Sequence, residues 1–422
     1  MSHALRSSLK HAWDDVWFKD RPTTQLELVR IGLGFAMLCH YGLGSAYLLE
    51  IWGNQGWFPP ELLATLPADD TTMKSLLYYI TQPWQLCVVH IMFLFCCAAL
   101  MVGWRTTWVK WLVLIGHLSY VHRSPEVTYG VDAILASLLL LLCLAPIGNA
   151  LSLDRVRALC KAKQEYLDAQ LPVFTSRWAF ACRRLMQLQM AVLFFFSAAH
   201  KLGEQDWWHG DAIWRVFTTS EYYSANMLDL FATQFWIVNI ATYGTVLIEI
   251  AFPFLIWQRY TRAWLLAGAV FLHLLFFFFL GLYYFSWVMI MGHVSFVRTE
   301  WLDSLSSWWK SRMGAMEIIY DGRCKFCVRS MAWFLAFDNL GQINTRDFRT
   351  NPSPVVSDEE MDKALHMVLA DGTALAGFEA YRYAVLRVPG MWWQVPFFYI
   401  PGLSRLVGIP IYNWVAANRS KL

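Results

Sequence analysis

The sequence predicts a multi-span α-helical membrane bundle joined to a small C-terminal α/β domain. Hydrophobic residues make up 57% of the 422 residues and charged residues only 15%, whereas roughly 25% of an average soluble chain is charged. Long apolar segments end before Arg298, and the pattern then changes to short strands and amphipathic helices. Most of the chain is therefore expected to lie in lipid.

Eight segments have the composition of membrane-spanning helices, since a hydrocarbon core of ~30 Å requires about 20 apolar residues as helix. These segments are 26–50, 77–102, 108–122, 131–150, 185–202, 235–257, 263–282 and, shorter, 284–297. The last two are joined without a clear break, so the eighth segment either crosses the membrane or is re-entrant.

The predicted domain boundaries follow these changes in composition. Residues 1–25 lack the features of a signal peptide and are expected to lie on the membrane surface as an interfacial N-terminal segment. Residues 26–299 form the transmembrane domain, 300–314 a polar and aromatic linker, and 315–422 the C-terminal domain.

The distribution of Lys and Arg predicts the orientation, because cytoplasmic loops collect positive charge. Most of these residues fall in the N-terminal segment, the turns 103–110 and 258–262, and the loop 151–184. We therefore expect a multi-pass protein of a bacterial inner membrane with a cytoplasmic C-terminal domain. If the eighth segment is re-entrant, that domain lies outside.

The C-terminal residues alternate between strand and helix patterns. Strands are predicted at 316–320 and 342–348, followed by a hairpin of 364–370 and 373–377 around Asp371-Gly372. Helices are predicted at 324–337, 378–387 and 403–418. This order is typical of an α/β thioredoxin-like domain.

Among nine cysteines, Cys324 and Cys327 have a recognisable spacing. Cys324 begins a predicted helix, where the macrodipole and the neighbouring Arg323 and Lys325 favour a thiolate. The pKa of Cys324 is expected to fall below the free value of about 8.5, and Cys327 would resolve a mixed disulfide. A zinc site or a structural thiol pair remains an alternative, although zinc needs four ligands and only His366 follows as a soft ligand. No metal is expected.

The run Tyr320-Asp321-Gly322-Arg323-Cys324-Lys325-Phe326-Cys327 resembles the signature of the DCC family of thiol-disulfide oxidoreductases. The similarity extends over roughly 315–420 through Asp338, the Asp371-Gly372-Thr373 turn, and Ala416 to Arg419. It implies thiol exchange at Cys324 and Cys327 that needs no cofactor, supported by Asp321, Gly322, Arg323 and Lys325. The resemblance does not name the substrate, and we expect a disulfide-bearing protein or a small thiol.

Polar residues inside predicted spans are functional candidates because burying them in lipid is costly. They are His40, His90, His117, Asp132, His200, Lys201, Glu249, His273 and His293. Lys201 ends the fifth span beside His200. A partly desolvated lysine can act as a base, and the alternative is a lysine that reaches to the membrane interface.

The segment from Phe195 to Leu202, followed by Asp206, Trp207 and Gly210, resembles the part of vitamin K-dependent γ-carboxylases and the wider HTTM family that bears their catalytic lysine. This resemblance implies that Lys201 deprotonates a reduced quinone, with His273 nearby. The carboxylases continue into a long extracytoplasmic region, whereas this chain ends in the DCC-like domain.

Three functional hypotheses follow. The first is a membrane-anchored thiol-disulfide oxidoreductase, the second a γ-carboxylase-like, quinol-dependent enzyme with Lys201 as base, and the third a non-enzymatic membrane assembly protein. Membrane lipid is an expected partner in all three. With 34 Lys and Arg against 31 Asp and Glu, no nucleic acid partner is expected.

Overall fold

The computed structural model describes residues 3–63, 75–219, 222, 225–361 and 364–418. The chain forms two units. The first comprises Met1–Gly148 and Phe174–Val297, and the second Asn149–Val173 and Arg298–Leu422. We call them the membrane unit and the C-terminal unit.

The described part of the membrane unit is built from helices, and one lies in each of the eight predicted spans. The longer helices are His3–Trp17, Thr24–Gly44, Pro83–Val102, Thr106–Arg123, Gly130–Leu144, Arg177–Leu202, Phe235–Leu255, Arg262–Phe279 and Tyr283–Val294. Shorter helical segments are Ser45–Tyr47, Leu48–Trp52, Pro60–Leu63, Leu76–Tyr79, Pro125–Val127, Gln205–His209, Ala212–Thr218 and Ala225–Thr233. His3–Trp17 provides a helix within the predicted interfacial segment.

Five helices among the described residues are long and apolar enough to cross a membrane: Thr24–Trp52, Pro83–Val102, Arg177–Leu202, Phe235–Leu255 and Arg262–Phe279. The other three predicted spans differ. Gly130–Leu144 and Tyr283–Val294 have 15 and 12 residues, and twelve residues of helix rise only about 18 Å. Thr106–Arg123 contains Lys110 and ends in His122 and Arg123, which lower its mean hydropathy.

Arg30, which forms a buried ion pair within its own helix, connects two of the long helices of the membrane unit. Arg30 donates to the Glu27 carboxylate at 2.8 Å, and neither side chain is exposed. Arg30 also donates to the backbone carbonyls of Leu100 and Met101 at 2.5 and 2.8 Å. The last carbonyls of a helix lack intrahelical partners, so Arg30 ties Thr24–Gly44 to the end of Pro83–Val102.

The C-terminal unit is an α/β domain with a four-stranded mixed sheet. Its strands are β1 (Met316–Tyr320), β2 (Ile343–Asp347), β3 (His366–Leu369) and β4 (Ala374–Ala376). The sheet order is β2-β1-β3-β4, with β1 and β2 parallel and the other pairs antiparallel. Its helical segments are Leu153–Glu165, Thr299–Met313, Lys325–Phe337, Asp358–Met361, Gly377–Arg387, Pro389–Gln394, Val395–Tyr399, Pro401–Leu403, Ser404–Gly408 and Ile409–Asn418.

The alternation of β1 places its apolar side chains on both faces of the sheet. Met316 and Ile318 pack in one core cluster with Met331 of the helix Lys325–Phe337. Ile319 faces the other side, against Phe348 and neighbouring residues. The predicted strands and the hairpin are thus present with boundaries within one or two residues.

Three segments of the C-terminal unit differ from the sequence-based expectation. The predicted linker 300–314 is the helix Thr299–Met313, in which the Trp309 indole donates to the Arg387 carbonyl at 3.0 Å. Residues 149–173, predicted within the transmembrane domain, group with this unit. The predicted helix 403–418 is interrupted by the wider turn Ser404–Gly408, because Pro410 lacks the N–H that a regular helix needs.

Residues 149–173 join the C-terminal unit through small apolar contacts. Val156 and Cys160 of the helix Leu153–Glu165 pack against Ala332 and Ala336 of the helix Lys325–Phe337. The alanines leave room for the two helices to approach closely. This pairing joins segments far apart in sequence, which periodicity alone does not reveal.

Candidate functional site

The Cys324 and Cys327 pair lies where β1 ends and the helix Lys325–Phe337 begins. Cys324 is the N-cap residue of that helix, and its sulfur accepts a hydrogen bond from the Cys327 backbone N–H at 3.2 Å. The two cysteines form a disulfide, with their Cα atoms 5.2 Å apart, and both are partly exposed. A sulfur in this position can be attacked from solvent and is stabilised as a thiolate by the helix N-terminus.

The turn before Cys324 is held by carboxylates. The Gly322 N–H donates to Asp347 at 2.9 Å, and the Asp321 carboxylate forms an ion pair with Arg349 at 3.0 Å. A Cβ atom on Gly322 would lie 2.2 Å from the Asp347 carboxylate, so glycine is required for this close approach. Asp321 and Gly322 therefore position the redox pair.

Arg323 and Lys325, the two cations predicted to stabilise a thiolate, have exposed side chains. Arg323 also donates its backbone N–H to the Asp321 carboxylate at 2.9 Å. Because solvent screens exposed charges, these two side chains contribute only a weak, diffuse positive potential at Cys324. The backbone N–H of Cys327 is the direct donor.

An apolar cavity of about 400 Å³ opens beside Cys327. Most of its walls are aromatic or aliphatic, including Phe326, Trp333, Phe337, Met391 and Trp393. A few polar groups are added by Asp321, Ser330 and Gln394. Thus the redox pair borders a space that fits apolar groups.

Lys201 lies in a second cavity, of about 240 Å³, within the membrane unit. Its ammonium group forms an ion pair with Glu249 at 2.9 Å and donates to the Ser197 hydroxyl at 2.7 Å. It also lies 5.1 Å from the centre of the Trp207 ring. Lys201 and Glu249 are 19% and 8% exposed, so Lys201 is partnered inside the unit, which disfavours a lysine that only reaches to the interface.

His273 lines the same cavity and is almost fully buried, at 3% exposure. Neither of its ring nitrogens has a hydrogen-bond partner within the described part of the chain. Buried polar groups are nearly always paired. The unpaired imidazole nitrogens can therefore form hydrogen bonds with a ligand or a water molecule in the cavity that Lys201 also lines.

His200 lies apart from this cavity. Its side chain is 77% exposed and lies 3.4 Å from Glu204. The structure thus brings Lys201 together with His273, Glu249 and Ser197, and leaves His200 at the surface. Glu249 was recognisable as an intramembrane carboxylate, but its pairing with Lys201 across 48 residues was not.

Other intramembrane polar residues have structural partners. His117 bonds the Tyr41 hydroxyl at 2.8 Å, and His90 bonds the Tyr120 hydroxyl at 2.9 Å. The Asp132 carboxylate accepts from the Tyr129 N–H at 2.9 Å and caps its own helix. These residues connect or cap helices.

Two family models match the chain. The HTTM domain matches residues 18–301, and a DCC1-like thiol-disulfide oxidoreductase matches residues 318–422. Comparisons with curated proteins and with solved structures give no match.

Arg419, part of the expected DCC similarity, lies outside the described residues. Within those residues, no group of three or more His, Cys, Asp or Glu side chains is arranged to hold a metal ion.

Proposed function

This chain belongs to the HTTM domain family, and from that premise and its DCC1-like domain we propose that it is a membrane-anchored enzyme that exchanges disulfides through Cys324 and Cys327. The observation that supports this proposal most directly is a hydrogen bond. The Cys327 N–H, in the first turn of a helix, donates to the Cys324 sulfur. That arrangement stabilises negative charge on Cys324 more than on Cys327.

The proposed reaction starts from the reduced pair. The Cys324 thiolate attacks one sulfur of a substrate disulfide, which forms a mixed disulfide and releases the first substrate thiolate. Cys327 then attacks the Cys324 sulfur, which releases the second substrate thiolate. The substrate gains two electrons and the protein disulfide forms. The substrate thiolates take up one proton from the Cys327 thiol and one from solvent, which received it when Cys324 ionised. Two molecules of a small thiol then reduce the protein disulfide and become a disulfide themselves before the next cycle.

The cavity beside Cys327 supports a substrate with apolar groups next to its disulfide. Trp333 and Trp393 on its walls offer apolar surface, whereas glutathione, a small polar thiol, would leave that surface uncovered. We therefore favour a disulfide flanked by apolar side chains in a protein. A small thiol serves as the reducing partner.

The test uses the full chain in lipid nanodiscs. Cys324→Ser should reduce turnover of an apolar-flanked disulfide peptide to background, and Cys327→Ser should accumulate a mixed disulfide at Cys324. Cys39→Ser is the matched control, because Cys39 is an exposed, unpaired cysteine of the membrane unit. Full turnover by Cys324→Ser would disprove the proposal.

A second candidate function is supported by the cavity of the membrane unit. Unpaired His273 nitrogens and the Lys201–Glu249 pair in an otherwise apolar space fit the polar head of a quinone. A bound quinone would supply two-electron redox chemistry there. Lys201 would hold or accept a proton at its amine, with Glu249 and Ser197 positioning that amine, and His273 would bond the ligand.

Lys201→Ala should abolish quinone binding or quinone-dependent activity, whereas Cys324 chemistry should remain. Lys201→Arg is the control, since it keeps the positive charge but cannot deprotonate. If Lys201→Ala binds a water-soluble quinone as the wild type does, the lysine is only structural.

We also propose that the C-terminal unit faces the cytoplasm. Arg298, Lys310 and Arg312 closely follow the last helix of the membrane unit, as expected for a cytoplasmic boundary. In intact cells, reduced Cys324 should resist a membrane-impermeant thiol reagent and react after permeabilisation. Labelling before permeabilisation would place the redox pair outside.

A further inference from the structure

The end of the C-terminal unit is unusually apolar for a domain of this size. Between Pro389 and Asn418 the sequence contains one charged residue, Arg405. The helical stretches Pro389–Tyr399 and Pro401–Asn418 together have the length and composition of a membrane span, but they are bent by 81°. We call this element the apolar hairpin.

The outer face of the apolar hairpin carries large exposed side chains. The most exposed are Leu406 at 80%, Trp393 at 62%, Trp414 at 59%, Ile411 at 57% and Ile400 at 53%. Soluble monomers rarely present so many neighbouring apolar side chains unless the surface binds something.

The inner face is packed on the rest of the C-terminal unit. Phe398 stacks on Phe378 with ring centres 5.1 Å apart, and the Tyr399 hydroxyl donates to the Arg382 carbonyl at 2.9 Å. A Cβ atom on Gly408 would lie 2.8 Å from the Phe397 carbonyl oxygen, so this close approach of the two arms requires glycine at that position. The apolar hairpin is thus an ordered element that packs one face on the C-terminal unit and leaves the other face exposed.

We propose that the apolar hairpin inserts its exposed face into the interfacial region of the lipid bilayer. The bilayer is the occupant we favour because the same chain carries helices long and apolar enough to cross a membrane, which keep the C-terminal unit near lipid. Trp393 and Trp414 suit the headgroup region, where aromatic rings are enriched. Helices satisfy their own backbone groups, as insertion requires, and the bend makes the element enter one leaflet without crossing.

Insertion has a consequence for the redox pair. Met391, Trp393 and Val415 of the apolar hairpin also line the cavity beside Cys327. The cavity would therefore open close to the lipid surface. The insertion itself does not depend on the proposed thiol chemistry.

The test places the photoreactive residue benzoylphenylalanine in the full chain, reconstituted in vesicles of phosphatidylethanolamine and phosphatidylglycerol. The test positions are Leu406 and Trp414. The lipid control is Trp264, an 80% exposed residue of a candidate span, and the solvent control is Thr373 in the exposed β3–β4 turn. After illumination, mass spectrometry identifies adducts with lipid acyl chains.

Leu406 and Trp414 should give acyl-chain adducts at a yield close to that of Trp264, and Thr373 should give none. A yield at the Thr373 level, or adducts only with protein, would overturn the proposal and indicate a protein partner or a second copy. The double substitution Leu406→Glu with Ile411→Glu should lose the adduct at Trp414, while small-disulfide reduction persists. Because the adducts form without Cys324 chemistry, failure of insertion and failure of the proposed enzyme activity remain distinguishable.

Discussion

The two candidate sites of this protein are assembled in different ways. At the redox pair, Cys324 and Cys327 are one helical turn apart, and Asp321 and Gly322 lie three and two residues before Cys324. In the membrane unit, Lys201, Glu249 and His273 come from three separate helices. Local motifs therefore reveal the first site, whereas the second depends on how distant helices pack.

The electrostatic settings also differ. The Asp321–Arg349 pair at the redox site is 14% and 30% exposed, so water screens it and it contributes little to stability. The Lys201–Glu249 pair is more deeply buried, and loss of one partner leaves a charge without compensation. Substitutions at the two sites should therefore affect stability unequally.

The largest expected effect is on the buried pair. Lys201→Met should destabilise the membrane unit by about 3 kcal/mol, because Glu249 loses its buried partner. Adding Glu249→Leu should restore most of that loss. Chemical unfolding of the full chain in detergent measures both variants, and equal stability of Lys201→Met and wild type would show that water already screens the pair.

A smaller effect is expected at the redox turn. Gly322→Ala should destabilise the C-terminal unit by roughly 1–3 kcal/mol and slow disulfide exchange, because its Cβ would clash with Asp347. Gly402→Ala is the matched control, since a Cβ there meets nothing within 4 Å. The two variants are compared by thermal unfolding and by turnover, and identical results for both would mean that the turn is not constrained.

A pH-dependent effect is expected at Asp338, which follows the helix Lys325–Phe337. Burial raises the pKa of Asp338 above its ordinary value, although backbone N–H groups of Ile343 and its neighbours partly oppose this. The folded state therefore holds the proton more tightly, and this carboxyl's contribution to stability declines as pH rises from its unfolded pKa through its folded pKa.

Asp338→Asn should remove that contribution. The difference in unfolding midpoint between variant and wild type should change across the acidic range and become constant above the folded pKa of Asp338. Parallel midpoints over the whole range would contradict the raised pKa.

The smallest effect is expected at His200. Its exposed side chain lies 3.4 Å from the Glu204 carboxylate, so His200→Gln should change stability by less than about 0.5 kcal/mol. His273→Gln, in contrast, should alter ligand binding in the cavity. A large loss of quinone binding in His200→Gln would show that this exposed residue takes part in the site, as His273 does.

Sequence patterns alone determined the two-part fold, the strands of the C-terminal unit and the place of the redox pair. Apolar composition and period-two alternation act within short segments, and the helix N-cap at Cys324 depends only on its neighbours. The same reasoning identified the polar residues of the membrane unit individually, but it did not show which of them contact each other.

Only the tertiary structure decided which polar residues of the membrane unit meet. Lys201 and Glu249 approach because two helices pack side by side, and the segment 149–173 joins the C-terminal unit because Val156 fits beside Ala332. The covered face of the apolar hairpin likewise depends on a contact with a remote residue, because Phe398 stacks on Phe378. Such contacts depend on shape and distance between remote segments, which hydrophobic periodicity does not encode.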